Sequence, residues 1–216
     1  MPLLLCDLDN TLVDRSAAFR RWAVEFAARQ RQDDGFVDWL SEIDDDGFGA
    51  RPEFFVSIHE RLGLVETLDE LIADYYRTFL PQFRCSDDVR EALGAVRAQG
   101  WFIAIVTNGP PTQNDKIRHA GLEPFVDVWC VSEVEGHRKP DVRLLESAAQ
   151  RCDVPLDGAW MIGDNPDTDI GAAHAAGIRS VWLRHGRTWP REDFAPTHKA
   201  DSFPEAVDWV LERPPS

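Results

Sequence analysis

The sequence has few of the residues that crosslink small secreted domains or bind soft metals. Its 216 residues include only four cysteines, which lie far apart, and no two of them form a C-x-x-C pair. This spacing argues against a thiolate metal site, and nothing in it indicates a disulfide framework. Cys6 and Cys130 lie in apolar runs and are expected to be small core residues. A reducing, cytoplasmic location is therefore expected.

Long apolar runs and an excess of positive charge are also missing. The apolar run Leu3 to Cys6 is far too short for a signal peptide or a membrane span, and no basic segment precedes it. The chain has 38 acidic and 23 basic residues, with a formal net charge of −15. This balance argues against a nucleic-acid backbone or an anionic membrane as a partner. A phosphorylated substrate would approach against the same field, so its site would need local positive charge or a metal.

The chain does contain enough apolar material for a full core. Hydrophobic residues make up 44% of the sequence, and eight of them are tryptophans. A chain of this length is expected to hold one large domain and an insert. The insert is predicted between Ser16 and Arg84, where helical periodicity dominates. Phe19, Trp22 and Phe26, for example, share one helical face. About four helices are expected there.

After Arg84, helical segments alternate with short apolar runs. Five strands are predicted, at Leu3–Cys6, Trp101–Val106, Val126–Val131, Trp160–Ile162 and Ile178–Leu183. This alternation predicts right-handed crossovers and a doubly wound parallel sheet, hence an α/β fold. We therefore predict a core domain of residues 1–14 and 86–216, and an all-α cap domain of residues 15–85 inserted after the first strand.

Three of the predicted strands stop at polar residues, which are Asp7, Thr107 and Asp164. In an open parallel sheet these ends meet at one edge, where ligands bind. Asp9 follows Asp7 at a spacing that points both side chains the same way in extended chain. Two carboxylates held together repel and need a cation or a proton between them. Lys139 precedes a predicted helix, whose N-terminus adds positive potential to the same region.

The predicted cluster is too acidic to receive a phosphate unaided. Its five charged members are Asp7, Asp9, Asp164, Asp169 and Lys139. Together they have a formal net charge of −3, which a bound divalent cation would change to −1. Mg²⁺ prefers hard oxygen ligands and keeps several waters, so it suits an all-carboxylate site better than zinc does. We therefore expect Mg²⁺ as the cofactor.

Four motifs resemble those of the haloacid dehalogenase (HAD) superfamily, which consists mostly of phosphotransferases with an aspartate nucleophile and magnesium. DLDNTLVD, at residues 7–14, resembles motif I, and VTNG with Thr107 resembles motif II. Lys139 matches motif III, and GDNPDTD with Asp164 and Asp169 matches motif IV. The motifs occur in family order, and the similarity covers nearly the whole chain. The resemblance implies a Rossmann-like core.

Two longer segments, TNGPPTQNDKIRHAGL and GDNPDTDIGAA, look most like the phosphatase branch with a C1-type helical cap. That branch includes nucleoside 5′-monophosphatases, sugar-phosphate phosphatases and N-acylneuraminate-9-phosphatase. The resemblance implies a small phosphorylated metabolite as the substrate. A monomer or a homodimer is adequate for this chemistry.

The resemblance also implies catalytic roles. Asp7 is expected to attack phosphorus and form an aspartyl-phosphate, while Asp9 protonates the leaving oxygen and later activates water. Thr107 and Lys139 are expected to hold the phosphoryl oxygens, with Asn108 as a further phosphate contact.

The expected metal ligands are the side chains of Asp7 and Asp164 and the backbone carbonyl of Asp9. Asp169 is expected either to bind the metal through water or to orient Lys139. Dehalogenases and phosphonatases of the superfamily lack an aspartate two residues after the nucleophile, so the presence of Asp9 argues against dehalogenation. A phosphomutase, which shares all four motifs, and a catalytically idle binding module remain as alternatives.

The segment Glu42 to Glu53 partly copies the spacing of a calcium-binding loop. It departs from that pattern at its first and eighth positions and has a proline before the final glutamate. A cap loop is the preferred interpretation, with Gly47 and Gly49 forming a turn. Arg51 is then a candidate contact to the substrate.

Overall fold

The computed structural model describes residues 1–47 and 51–213. The chain divides into two compact units, one formed by Met1–Val13 with Cys85–Ser216 and the other by Asp14–Arg84. These bounds differ by one residue from the predicted domain boundaries, and the assignment of core and cap roles stays a prediction. Gly49 of the predicted cap loop lies outside the described residues.

The first unit is built on a parallel sheet. Among the described residues the sheet has six strands: β1 (Leu3–Cys6), β2 (Phe102–Thr107), β3 (Val128–Val131), β4 (Trp160–Gly163), β5 (Arg179–Leu183) and β6 (His198–Ala200). Their order is β3-β2-β1-β4-β5-β6, and every neighbouring pair is parallel. The predicted α/β fold with a parallel sheet is confirmed. The edge strand β6 was not predicted, because it lacks the apolar run that marked the other five.

In its described residues, the second unit has only helices as regular structure. Its helices are α1 (Arg15–Arg29), α2 (Asp34–Asp44), α3 (Arg51–Leu62) and α4 (Leu68–Phe79). Thr67 and Glu70 form a reciprocal capping box at the start of α4, as their spacing predicts. The centre of the unit is aromatic. Trp22 stacks on Phe26 with ring centroids 5.0 Å apart and meets Tyr75 edge-on at 4.8 Å.

The other α-helices among the described residues belong to the first unit. They are α5 (Asp87–Ala98), α6 (Gln113–His119), α7 (Ser132–Glu135), α8 (Arg143–Arg151), α9 (Gly171–Ala175) and α10 (Phe203–Leu211). A π-helical turn, Pro166–Ile170, leads directly into α9. Apolar residues of α8 and α9 pack with Leu3 and Leu5 in one hydrophobic cluster. Helices α5 and α10 contact each other and strands β2, β4 and β5.

Helices therefore cover both faces of the sheet, which explains why its central strands are continuous apolar runs. Strand β1 illustrates this, since all four of its residues are buried. It lies between β2 and β4, at the point where the strand order reverses, and ligands bind at such points in open α/β sheets. In the part of the chain that the structure describes, no helix combines the length and apolar character needed to cross a bilayer.

Candidate active site

Three buried carboxylates meet at the carboxyl edge of the sheet. Asp7 directly follows β1, Asp164 directly follows β4, and Asp169 lies in the π-helical turn. Each offers one carboxylate oxygen, and these oxygens lie within 4.8 Å of one another. The backbone N–H of Asp7 donates to the carbonyl of Ile162 at 3.0 Å, which extends the pairing of β1 with β4 by one residue. The structure thus brings together three of the predicted metal ligands.

Lys139 is buried beside two of these carboxylates. Its Nζ lies 2.6 Å from Oδ1 of Asp7 and 2.7 Å from Oδ1 of Asp169, and it donates to the carbonyl of Val106 at 2.5 Å. An ammonium has three hydrogens, so all three can be used. Burial alone would lower the pKa of Lys139, but the carboxylates of Asp169 and Asp7 outweigh it and raise that pKa above its ordinary value. Lys139 therefore stays charged.

The surroundings of Asp7 favour its neutral form, whereas those of Lys139 favour its charged form. Burial raises the pKa of its carboxyl group well above the ordinary value, and Asp169 and Asp164 add to that rise, while Lys139 opposes it. The nucleophilic form of an aspartate is the carboxylate. Asp7 therefore needs nearby positive charge to remain ionised in this buried position.

Asp169 is held by its neighbours on both carboxylate oxygens. Oδ1 pairs with Lys139, and Oδ2 accepts a hydrogen bond from the backbone N–H of Asn165 at 2.9 Å. Of the two roles predicted for Asp169, the orientation of Lys139 matches these contacts directly. Direct or water-mediated metal binding by Asp169 stays a prediction.

Asp164 is anchored from the loop that follows β5. Nη2 of Arg187 lies 3.0 Å from Oδ2 of Asp164 and donates to its carbonyl oxygen at 2.8 Å. The indole N–H of Trp182 donates to the same carbonyl, also at 2.8 Å. Both the backbone and the side chain of this predicted metal ligand are thus fixed.

Asp9 is held by residues from helix α6. Nζ of Lys116 lies 2.7 Å from both carboxylate oxygens of Asp9. The side-chain amide of Gln113 donates to Oδ2 of Asp9 and to Oγ1 of Thr107, each at 2.9 Å. Gln113 therefore links the predicted acid/base to the predicted phosphate-binding threonine.

The side chain of Asn108 is used within the protein. Its Nδ2 donates to the carbonyl of Lys139 at 3.0 Å, and its Oδ1 accepts from the N–H of Lys139 at 2.9 Å. These two bonds fix the backbone of Lys139. No pattern in the sequence predicts this role for Asn108. The predicted phosphate contact of Asn108 stays a prediction.

Arg51 lies in the helical unit, at the start of α3. Its Nη1 is 2.9 Å from Oδ1 of Asp44, and its guanidinium lies over the ring of Phe54. Asp44 is 2% exposed and also receives two hydrogen bonds from Arg15, at 2.7 and 2.9 Å. Arg51 thus has a structural partner, and its predicted contact with the substrate stays a prediction.

Sequence reasoning missed several side chains that contact predicted site residues, among them Gln113, Lys116 and Arg187. A signal for the first two was present, because Gln113 and Lys116 stand three apart in the helix that follows VTNG. That spacing puts them on one helical face. Arg187 lies in a loop and had no comparable signal.

The newly found cations change the charge of the site. Lys116 and Arg187 join Lys139, so three cations face the four predicted carboxylates, and the formal net charge is −1. The sequence count of −3 was therefore too negative. The donor set still fits a hard divalent cation, since three buried carboxylate oxygens lie within reach of one ion. A bound divalent cation would make the site net positive and would favour the ionised form of Asp7.

The fold and this site together define a Rossmann-like hydrolase with an aspartate cluster. The model of the haloacid dehalogenase-like hydrolases matches residues 1–177, and the chain belongs to this family. The predicted family and enzyme class are confirmed, while the C1-capped sub-branch stays a prediction.

Relatives and solved structures agree with this placement. The chain is 27% identical to a glyceraldehyde 3-phosphate phosphatase of Pyrococcus abyssi, over 87% of this chain and 83% of that protein. It is 32% identical to a phosphoserine phosphatase of Thermus thermophilus, over 62% of this chain and 53% of that protein. The magnesium-bound HAD hydrolase YfnB of Bacillus subtilis has the same fold, with a TM-score of 0.75 at 23% identity over 96% of this chain and 97% of YfnB. Haloacid dehalogenases are also among the similar structures.

Proposed function

We propose that the protein is a Mg²⁺-dependent phosphatase that hydrolyses a small phosphorylated metabolite through an aspartyl-phosphate on Asp7. The observation that carries this proposal is the contact of the buried, charged Lys139 with Asp7, next to Asp164 and Asp169. Phosphatases among the matched relatives support it.

In the first half of the proposed reaction, a carboxylate oxygen of Asp7 attacks phosphorus. The bond from phosphorus to the leaving oxygen breaks, and Asp9 gives that oxygen a proton. In the second half, Asp9 takes a proton from water as the water oxygen attacks phosphorus. The bond to Asp7 then breaks and inorganic phosphate is released, so the net reaction consumes one water.

Thr107 and Lys139 hold the phosphoryl oxygens during both halves. A hydroxyl that accepts from Gln113 keeps its own hydrogen for donation to a phosphoryl oxygen. Lys139 supplies fixed positive charge at a buried position, where such charge stabilises a transferring phosphoryl group. Asp169 and the side chain of Asn108 keep Lys139 in place, and the backbone of Asn108 is a candidate phosphate contact.

The residues proposed to hold Mg²⁺ are Asp7 and Asp164 through their side chains and Asp9 through its backbone carbonyl. When bound, Mg²⁺ would offset the charge of the carboxylates and of the phosphoryl oxygens. Water-mediated contact with Asp169 is compatible with its bonds to Lys139 and Asn165.

We further propose that the helical unit is a C1-type cap that selects the substrate, with Arg51 as a candidate contact. The cap would belong to residues 15–85 and the core to residues 1–14 and 86–216. The proposed catalytic and metal-binding residues all lie in the core, and a monomer or a homodimer would be active. The four cysteines are free and buried, in keeping with a reducing cytoplasm.

The rivals differ from this proposal in their products. A phosphomutase would return an isomerised sugar phosphate instead of inorganic phosphate. A dehalogenase would release halide from a haloacid, and it would have no need of the acid/base that Asp9 supplies. An idle binding module would release neither product.

The test uses purified protein freed of metal with EDTA and supplied with p-nitrophenyl phosphate. We expect release of inorganic phosphate only after Mg²⁺ is added back. A screen of phosphorylated metabolites, read by released phosphate, would then identify the substrate class. Halide release from haloacids without any phosphatase activity would refute the proposal.

Asp7→Asn tests the nucleophile directly. We expect it to abolish phosphate release, because the amide cannot attack phosphorus. Asp115→Asn is the matched control, since Asp115 is exposed on α6 and pairs only distantly, at 3.6 Å, with Arg118. Full activity of Asp7→Asn would exclude Asp7 as the nucleophile.

A further inference from the structure

Helix α6 holds the carboxylate of Asp9 in one orientation. Lys116 contacts both carboxylate oxygens at 2.7 Å, although 107 residues separate the two positions. The contact is shielded, with the side chain of Lys116 12% exposed and that of Asp9 23% exposed. Shielded, charge-assisted hydrogen bonds are stronger than those at the surface, so this pair can fix a side chain.

Gln113 adds a second point of attachment. It lies one turn before Lys116 on α6, is 5% exposed, and bonds both Asp9 and Thr107 through Nε2. A primary amide nitrogen has two hydrogens, so both bonds form at once. The separation between the carboxylate of Asp9 and the hydroxyl of Thr107 is therefore set by a single side chain.

The loop before α6 is shaped to admit Gln113. Gly109 has a φ of +154°, and a Cβ at this position would lie 2.8 Å from Cγ of Gln113. A larger residue would collide with the very side chain that bridges Asp9 and Thr107. The loop and α6 therefore form one support for the two groups.

We propose that Lys116 and Gln113 are positioning residues that aim Asp9 at the leaving oxygen and, later, at the attacking water. The inference rests on the proposed phosphatase function. Lys116 and Gln113 touch neither the phosphoryl group nor the nucleophile in this scheme, and they act through Asp9 and Thr107. Misplacing Asp9 impairs its two proton transfers and leaves attack by Asp7 intact.

The test is Lys116→Met, which keeps most of the length of the side chain and removes its charge. A poor leaving group, such as the alkoxide of glycerol phosphate, needs a proton in order to depart, whereas 2,4-dinitrophenolate does not. We expect turnover of glycerol phosphate to fall by about 100-fold or more, in the range of a lost general acid. Formation of the phosphoenzyme from dinitrophenyl phosphate should be nearly unchanged.

Water activation is also impaired in the variant, so dinitrophenyl phosphate should give a pre-steady-state burst. We expect release of about one equivalent of dinitrophenolate and slow turnover afterwards, as in other enzymes that accumulate a covalent intermediate. If Lys116 had only a structural role, the variant would turn over both substrates more slowly, by the same factor, and would show no burst. Proportional loss without a burst, or no loss at all, would overturn the inference.

Two further variants complete the test. Arg118→Met removes a cation from the exposed side of the same helix. The turnover of both substrates should be unchanged in this variant. Gln113→Leu keeps Lys116. It should also show a burst with dinitrophenyl phosphate and a selective loss of glycerol phosphate turnover, but that loss should be smaller. This variant replaces Lys116→Met in the test if Lys116→Met does not fold. Wild-type protein without phosphatase activity would refute the proposed function and the inference with it. An active wild type with normal Lys116→Met and Gln113→Leu kinetics would refute the inference alone.

Discussion

Gly163 and Asp169 approach each other more closely than any side chain at position 163 would permit. A Cβ on Gly163 would lie 2.5 Å from both Cβ and Cγ of Asp169. Gly163 is the last residue of β4, and the absence of a side chain lets the π-helical turn bring Asp169 against the sheet. There Asp169 pairs with Lys139 at 2.7 Å. The absence of a side chain at Gly163 is therefore a condition for the contact between Asp169 and Lys139.

The first prediction is that Gly163→Ala displaces Asp169 and loosens its contact with Lys139. Overpacking of this kind costs about 1–3 kcal/mol in the free energy of unfolding. We expect a matching loss in urea unfolding and a strong loss of phosphatase activity. Gly94→Ala is the control, because a Cβ there would meet nothing within 4 Å in the middle of α5. It should stabilise the protein by about 0.5–1 kcal/mol. Wild-type stability and activity in Gly163→Ala would contradict this account.

A second prediction concerns the buried carboxylate of the helical unit. Asp44 is 2% exposed and faces the guanidinium groups of Arg15 and Arg51 at 2.7 to 2.9 Å. Asp44→Ala would remove a buried carboxylate that pairs with the buried Arg15, and breaking a buried pair in this way costs about 3–5 kcal/mol. We expect a loss of that size in the free energy of unfolding, measured in urea.

The matched control for Asp44 is Asp38→Ala. Asp38 lies 3.9 Å from Arg20, and both side chains are more than two thirds exposed. Exposed pairs contribute about 0–1 kcal/mol, so this change should be nearly neutral. Equal losses in the two variants would show that the pairing of Asp44 is unimportant for stability.

The parts of the site that could be predicted are those that depend on local sequence patterns, such as an apolar run that ends at a polar residue. The apolar run of β1 ends at Asp7, and the topology of a parallel sheet brings that end to the ends of β2 and β4. Fold class, strand ends and family therefore followed from the sequence. Strand β6 did not, because an edge strand pairs through its backbone and needs no apolar run.

The supports of the site could not be predicted in the same way. The contact of Lys116 with Asp9 spans 107 positions, and that of Arg187 with Asp164 joins a loop to a strand end. Neither contact changes the local periodicity. From the sequence alone, a lysine on a helix is expected to be solvent-exposed, and its contact with a distant carboxylate is visible only in the folded structure. The net charge expected for the site was therefore too negative.

A third prediction follows from the buried thiols. Burial raises the pKa of Cys85, Cys130 and Cys152 to about 11, from 9.0 in the unfolded chain. The folded protein therefore holds these protons more tightly. The resulting stabilisation is fully present below pH 9 and is lost as the pH rises toward about 11.

The same shift slows thiol chemistry. Near neutral pH the thiolate fraction of each of these cysteines falls about 100-fold, so native protein should react slowly with a disulfide reagent. Unfolding in urea should release all four thiols of the sequence at the rate of free cysteine. Fast labelling of the native protein would contradict the burial of these residues.

The last prediction separates metal binding from catalysis. Mg²⁺ that binds only the folded chain should raise its stability, by about 2.7 kcal/mol at a concentration 100 times the dissociation constant. We expect a rise of several degrees in the melting temperature, which EDTA reverses. Asp164→Asn should lose this rise because a proposed ligand is gone. Asp167→Asn should keep it, since the carboxylate of Asp167 is 71% exposed and pairs with Arg191. An equal rise in both variants would exclude Asp164 as a ligand, because binding would then take place without it.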